Sequence, residues 1–244
     1  LFARGKKGKD MISHIHAGHV TLTRPDVTYL FRGPKNAFSL NLKGGSVIAD
    51  DWNFYTDEAI DTCTFLFAKA GKVRPDSVVF LKTAGRYSTM KPTLDFQVSK
   101  GIVSLENIHI KEMLNRDPQN KNIQEIYNIH LPEIAISGFN WNKLVNHNEL
   151  GITEATVKQP QINLKYIRQY AAATNKMGSY PHQLLLQVGV DLNIRKMNIQ
   201  NGNLQYVEVT DKAEEGLIKF TGITGNLEHI TNMPDIIHNH HNCI

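Results

Sequence analysis

Apolar and polar residues alternate along most of this chain, with clear examples at residues 37–43, 93–99, 133–137, 184–194 and 203–209. A period of two places one side of an extended segment on a core or groove and the other in water. The pattern is typical of half-exposed antiparallel strands. The sequence therefore predicts a mainly β protein.

Helical pattern is scarce. Residues 165–173 form the best candidate, because Ala and straight-chain residues dominate that segment. A single turn is also predicted over residues 141–144, where Asn140 is a plausible N-cap. We therefore expect one or two short helices beside the sheet, with the longer one over Tyr166–Ala173.

A short motif recurs along the chain: an apolar residue, two residues, Pro or Gly, then two apolar residues in alternation. Its clear copies are centred on Pro25, Gly101, Pro160 and Gly202, and a looser copy on Gly45. Pro removes a ladder donor and Gly permits a positive φ, so each interrupts strand pairing. We predict that these positions are strand starts, breaks or bulges that bend one sheet.

Composition narrows the class of protein only moderately. The 244 residues include 41% hydrophobic and 20% charged residues with a net charge of +4, which excludes wholesale disorder. Two cysteines, Cys63 and Cys243, exclude a disulfide-stapled scaffold and a multi-cysteine zinc site. No apolar run approaches the ~20 residues of a membrane-spanning helix. Because the chain begins without Met and ends abruptly, we expect a piece of a longer protein.

The polar loop after residue 114 suggests a division into an N-terminal β-sheet portion, 1–114, and a C-terminal portion, 123–235, followed by a His/Asn-rich tail, 236–244. The strand pattern is the same on both sides of this loop. We therefore expect one continuous architecture.

Three segments of the C-terminal portion have a distinctive order: IAISGFNWNKL at 134–144, LGITEATVKQPQINL at 150–164, and IRKMNIQNGNLQY at 194–206, followed by Ile223 to Leu227. In these segments the chain resembles the AsmA-like envelope proteins. In that family a strand ends in a small-residue turn, a short helical turn follows, and the next strand runs into a Pro-x-apolar-x-apolar strand. The resemblance covers residues 129–232, and residues 11–110 share only the repeat.

The resemblance implies a long curved antiparallel sheet that forms an open U-shaped groove with an apolar floor. Related bridge-like and TamB-type proteins are thought to shield lipid tails in such grooves. It implies lipid acyl chains as ligands, envelope proteins as possible partners, and contact with a membrane through segments outside this sequence. It also implies the periplasmic side of a bacterial cell envelope, a role in lipid transport or outer-membrane biogenesis, and neither enzymatic activity nor a cofactor.

Alternation selects the groove-floor candidates in the C-terminal portion, because alternate residues of one strand share a face and neighbouring strands in register merge those faces. They are Val157, Ile162, Leu164, Leu184, Leu186, Val188, Leu204 and Tyr206.

Two further groups of residues could suggest a metal site or a nucleic-acid site, and neither is favoured. His238, His240, His241 and Cys243 in the tail, with His229 upstream, could supply metal ligands, but a frayed polar end is the favoured interpretation, and we expect no metal site. The aromatic stretch from Tyr29 to Tyr55 follows strand spacing, so core packing is favoured over stacking on nucleic acid. We expect no catalytic residues and no nucleic-acid partner.

Two alternatives to the lipid groove stay open. One is a structural or partner-binding β-domain of a secreted or envelope protein, whose exposed strand edges pair with another chain. The other is a carbohydrate-active enzyme that uses the carboxylates of Asp50 and Asp51. An open apolar inner face favours the groove, and two facing carboxyl groups in a cleft would favour the enzyme.

Overall fold

A computed structural model describes residues 14–32, 37–55, 67–82, 85–112, 125–147, 149–167, 191–210 and 212–233. Strands make up 80% of that part of the chain, which confirms the prediction of a mainly β protein. The elements are β1 (His14–Thr23), β2 (Asp26–Arg32), β3 (Ala37–Lys43), β4 (Ser46–Tyr55), β5 (Ala70–Arg74), β6 (Ser77–Lys82), β7 (Gly85–Met90), β8 (Thr93–Gln97), β9 (Ile102–Glu112), β10 (Glu125–Ser137), α1 (Trp141–His147), β11 (Glu149–Lys158), β12 (Gln161–Ile167), β13 (Asp191–Val209) and β14 (Glu215–Thr231).

Ten of these strands form a large mixed sheet, and β2, β3, β6 and β7 form a smaller antiparallel part that joins it through the β7–β9 pairing. Consecutive strands such as β1 and β2 run in line, separated by two residues. The two strands of each such pair belong to different arms of the sheet. The arm that holds β1, β4, β5, β8 and β11 is called here the first arm. The arm that holds β2, β3, β6, β7 and β12 is called the second arm, and β9, β10, β13 and β14 run through both.

A line of breaks separates the two arms, and we call it the crease. Its residues are Arg24-Pro25, Gly44-Gly45, Pro75-Asp76, Lys91-Pro92, Asn107, Gln159-Pro160, Asn201-Gly202 and Gly222. Backbone hydrogen bonds link successive breaks: the Arg24 amide donates to the Gly45 carbonyl (2.8 Å), and the Asp76 amide donates to the Lys43 carbonyl (3.0 Å). The breaks therefore align across the sheet.

Positive φ values and prolines produce the crease. Arg24, Gln159 and Asn201 have φ values of 51°, 50° and 53°, in the left-handed region that interrupts a strand. As predicted, Pro25 and Pro160 separate consecutive strands and Gly202 lies at a register shift. Gly101, with a φ of 61°, lies in the turn between β8 and β9, away from the crease.

Directly paired residues of neighbouring strands share a face, so the registers trace rows of side chains across the sheet. Two unbroken rows cross the first arm. Row A is Leu22, Val47, Val73, Leu94, Leu105, Ile134, Val157, Ile199 and Gly225. Row B is Val20, Ala49, Gly71, Phe96, Val103, Ile136, Ala155, Met197 and Leu227. Polar and charged side chains are absent from both rows.

The second arm carries comparable rows. Row C begins with Val27, Leu42 and Val78, is interrupted by the polar Thr89, and resumes with Ile110, Ile129, Ile162, Leu204 and Phe220. Row D, in the C-terminal half, is Tyr127, Leu164, Tyr206 and Ile218. Each arm therefore has one apolar face.

Two sequence-based expectations differ from the structure. The helix predicted over Tyr166–Ala173 is wrong at its start, because Tyr166 and Ile167 belong to β12 and pair with Glu208 and Val209. Residues 168–173 lie outside the described part of the chain. The sheet is also not purely antiparallel, since β11 and β12 both pair with β13 in parallel.

The predicted turn after Asn140 is confirmed and is longer than expected. The described helix, α1, has seven residues, and the Asn140 side-chain oxygen caps it by accepting from the Lys143 amide at 3.0 Å.

Candidate functional site

The two arms enclose an apolar cavity of about 300 Å³ at the N-terminal end of the crease. Val20, Leu22 and Val47 line it from the first arm, and Val27 and Leu42 line it from the second. Residues from both sides of the crease can face one cavity only if rows A, B and C lie on the same, concave side of the sheet. The crease therefore folds the two apolar faces toward each other.

Proline and aromatic side chains complete the cavity wall, namely Pro25, Pro75, Trp52, Phe67 and Phe96. Trp52 meets Phe67 edge-on, with ring centroids 6.3 Å apart. Ser46, with its hydroxyl, and Trp52, with its indole N–H, are the residues with a polar side-chain group among the described cavity residues. Such a surface has almost nothing to offer a polar ligand and suits hydrocarbon.

The concave face continues to the C-terminal candidates. Ile162 pairs with Leu204 in row C, and Leu164 pairs with Tyr206 in row D. Val157 lies across the crease from them, in row A. All five are half-buried, and the registers place them on the face that lines the cavity farther along the sheet. Leu184, Leu186 and Val188 lie outside the described residues.

Helix α1 covers the middle of the concave face. Trp141 is buried beside Phe96 and Phe139, with ring centroids 5.7 and 4.4 Å from its own. Val103 and Ile136 of row B belong to the same cluster. This part of the face is a packed core rather than an open groove.

Both ends of the concave face remain accessible. Leu22 at the β1 end is 51% exposed, and at the β14 end Phe220 and Leu227 are 53% and 49% exposed. Ordinary monomers scatter single exposed apolar residues over their surface, whereas these lie at the ends of continuous rows. The face is thus partly covered and partly open.

The carboxylates considered for catalysis have basic partners. Asp50 lies 2.8 Å from the Nδ1 atom of His19, and Asp51 lies 2.5 Å from the Nζ atom of Lys69. Asp95, on a nearby strand, pairs with Lys72 at 2.7 Å. This arrangement is typical of ion pairs on an exposed sheet surface.

The Lys69 ammonium, which donates a hydrogen bond to Asp51, holds the pKa of that carboxyl below its usual value of 3.8. Because the folded-state pKa is lowered, the ionised carboxylate stabilises the fold above pH 3.8, and this contribution disappears as the pH falls through the folded-state pKa. We predict that Asp51→Asn makes unfolding less sensitive to acid below pH 3.8. Urea unfolding of both proteins between pH 2 and 6 checks this; parallel pH profiles would contradict it.

Within the described residues, His, Cys, Asp and Glu side chains form no group of three that could hold a metal ion. The tail residues 238–243, which were considered as metal ligands and not favoured, lie outside those residues. His14 and His16 both reach the side-chain oxygen of Asn53, at 3.2 and 2.9 Å. No helix in the described part of the chain is both long and apolar enough to cross a membrane.

Sequence reasoning missed the N-terminal half of the concave face. Val20, Leu22, Val47 and Val73 line the cavity, whereas the groove candidates predicted from sequence all lie in the C-terminal portion. The signal was present, because the motif centred on Pro25 places Leu22 and Val27 on either side of a break. What the sequence alone did not supply is the pairing of β1 with β4 and of β2 with β3.

Comparisons with known proteins place the chain in no group: no family model, curated protein or solved structure matches it significantly.

Proposed function

We propose that the concave face of the creased sheet is a groove for lipid acyl chains. The observation that carries the proposal is that rows A and B cross the first arm without a polar side chain and open, beside the crease, into an apolar cavity of about 300 Å³. This volume is at the lower end of the ~300–1,000 Å³ of small-molecule sites. It is enough for part of one chain, with the open rows as its continuation.

The energetics favour hydrocarbon. Each methylene moved from water into an apolar site gains about 0.8 kcal/mol, so burying six of them contributes roughly 5 kcal/mol before the cost of association. None of the described residues that line the cavity is charged, so the wall offers no partner to a lipid headgroup. The headgroup would therefore remain in water, and selectivity would rest on the acyl chain.

On this proposal the protein is a non-enzymatic module that needs no cofactor. Together with the sequence resemblance, the groove supports an AsmA-like role in moving or shielding lipid at a bacterial cell envelope. The supporting features are the curved sheet, its apolar concave face, and the strand–turn–helix–strand order from β10 through α1 to β11.

The test is a matched pair of charge substitutions. Leu22 and Leu30 are both exposed leucines in the first in-line pair of strands, at 51% and 59%, but only Leu22 lines the cavity. We expect Leu22→Glu to weaken binding of a phospholipid with a fluorescent acyl chain by at least about tenfold, because a carboxylate beside hydrocarbon must be desolvated. Leu30→Glu should bind like the parent protein.

Two further measurements separate a loss of lipid binding from a loss of folding and show whether the parent protein carries lipid. Circular dichroism and thermal unfolding should show both variants folded, since neither leucine is buried. Lipid extraction and mass spectrometry of the parent protein purified from bacteria should show a co-purifying lipid. A parent protein that binds no labelled lipid, or equal binding by the two variants, would reject the groove.

A partner-binding β-domain is the second candidate function, and the long outer strands of the sheet favour it. β14 has 17 residues, and among the described strands it pairs only with β13. Long unpaired strand edges are templates for pairing with another chain.

A further inference from the structure

The two outer edges of the sheet match each other. One edge is β14, and the opposite edge is formed by β1 and β2 in line. Within the described part of the chain, β14 pairs only with β13, β1 only with β4, and β2 only with β3. We propose that copies of this chain associate head to tail, with the β14 edge of one copy pairing with the β1–β2 edge of the next.

Direction and length support this pairing. β14 runs from the second arm into the first, whereas β1 and β2 run from the first arm into the second, so the two edges would meet antiparallel with the arms superposed. Gly222, with a φ of 68°, divides β14 at the crease, as Arg24-Pro25 divides β1 from β2. On the second arm, β2 has seven residues, and residues 215–221 of β14 lie opposite it.

One register satisfies both arms. Continuing row B places Leu227 beside Val20, and continuing row A places Gly225 beside Leu22. The same register, carried through the crease, places Phe220 beside Val27 and so continues row C on the other arm. This agreement requires the same number of residues across the crease on both edges. Five positions separate Leu22 from Val27, and five separate Phe220 from Gly225.

The crease residues also match. This register sets Gly222 against Pro25. An equivalent contact exists inside the sheet, where a Cβ placed on Gly202 would lie 3.0 Å from the Pro160 ring. A proline in one strand beside a glycine in the next is thus already accommodated along the crease.

The convex face supplies an apolar contact. Leu217 is 62% exposed and Leu30 is 59% exposed, and the register sets them directly opposite each other. Burying such a pair across a strand junction is favourable, whereas in a single copy each lies in water. Each edge therefore exposes a large apolar side chain that the other edge would cover.

Charges are compatible with this register as well. It sets Glu228 opposite His19, and among the described residues of the two edges no position sets two like charges opposite each other. Opposite charges across a strand pair are favourable and like charges are not. The inference does not rest on lipid binding, which uses the concave face.

The test is site-directed cross-linking in the full chain with Cys63 and Cys243 replaced by Ser. One protein carries Leu30→Cys and another carries Leu217→Cys. We expect a mixture of the two to give a covalent dimer on oxidation or with a short bis-maleimide, because opposite positions in a strand pair bring Cβ atoms to ~4.5–5.5 Å. Each protein alone should give none.

A register control accompanies the mixture. Ile223→Cys lies on the same strand as Leu217 but across the crease, so its mixture with Leu30→Cys should cross-link at least about tenfold less, given ~3.4 Å of strand rise per residue. A protein with Leu30→Cys and Leu217→Cys together should form a ladder of dimers, trimers and longer products.

Solution mass completes the test. The weight-average mass of the parent should rise with concentration from 27.6 kDa past two copies, and Leu217→Lys should abolish the rise. The matched Met90→Lys, at a position 59% exposed but away from both edges, should not. A constant monomer mass, cross-linking of either single-cysteine protein with itself, or equal yields for Leu217 and Ile223 would each overturn head-to-tail pairing.

Discussion

Gly45→Ala should destabilise the protein by about 3 kcal/mol, because this glycine is held at the crease in a conformation and a space that admit no side chain. Its φ is 72°, where an L-residue costs about 1–2 kcal/mol. A Cβ there would overlap the Arg74 carbonyl oxygen and lie 2.8 Å from the Cα atom of Pro75. Both neighbours are backbone atoms at or beside the Pro75-Asp76 break. The overlap can therefore be relieved only if the backbone of the crease shifts.

The hydrogen bonds around Gly45 explain why it cannot simply move. Its amide donates to the Asp76 carboxylate at 3.1 Å, and its carbonyl accepts from the Arg24 amide at 2.8 Å. A displacement of Gly45 would therefore weaken contacts to two neighbouring breaks. For a chain of this size we expect the melting temperature to fall by about 6–12 °C.

Gly18→Ala is the matched control. Gly18 lies in β1, its φ is not positive, and an added Cβ would meet no atom within 4 Å. We expect no loss of stability and a gain of up to about 1 kcal/mol, because Ala fits at this position and restricts the unfolded chain. Equal melting temperatures for the Gly45 and Gly18 variants would mean that the crease is not a rigid structural feature.

The strands were predictable from the sequence because alternation records directly which face of a strand is buried. Residues 37–43, 133–137 and 203–209 were predicted as strands on this pattern, and they fall in β3, β10 and β13. The breaks at Pro25 and Pro160 were predictable for a similar local reason, since proline has no amide to donate. Local chemistry was sufficient in both cases.

The helix at 165–173 was mispredicted because pairing with neighbouring strands overrides intrinsic propensity. Tyr166 and Ile167 prolong β12 beside β13, and the ladder they gain there is long-range. The parallel pairing of β12 with β13 was equally out of reach of local reasoning. It depends on how the chain returns between residue 167 and residue 191.

The concave face was predictable only in fragments. Alternation identified Ile162, Leu164 and Leu204 as members of one face, but it could not show that this face meets rows A and B across the crease. It also could not show which part of the face α1 would cover. Those features depend on strand order and register, which long-range pairing determines.

Phe96→Ala should cause the second large loss of stability, because it removes a side chain from the packed core rather than from the open groove. Phe96 lies in the middle of row B, where it is 2% exposed and lies 5.7 Å from the Trp141 ring of α1. Truncating a buried Phe removes its burial energy and leaves a cavity, so we expect a loss of about 3–5 kcal/mol in the free energy of unfolding. Urea unfolding, with the slope compared as well as the midpoint, measures it.

Leu227 belongs to the same row at the β14 end and is the control for position along the face. It is 49% exposed, so Leu227→Ala should cost less than about 1 kcal/mol. A large difference between the two variants would establish that row B is a packed core beneath α1 and an accessible surface at its end. If Phe96→Ala cost as little as Leu227→Ala, the middle of the sheet would not be a packed core. Phe96 of β8 packs against Trp141 of α1, and this buried contact fixes the middle of row B. The paired strands on either side extend the row to its exposed ends, where acyl chains or a second copy can reach it.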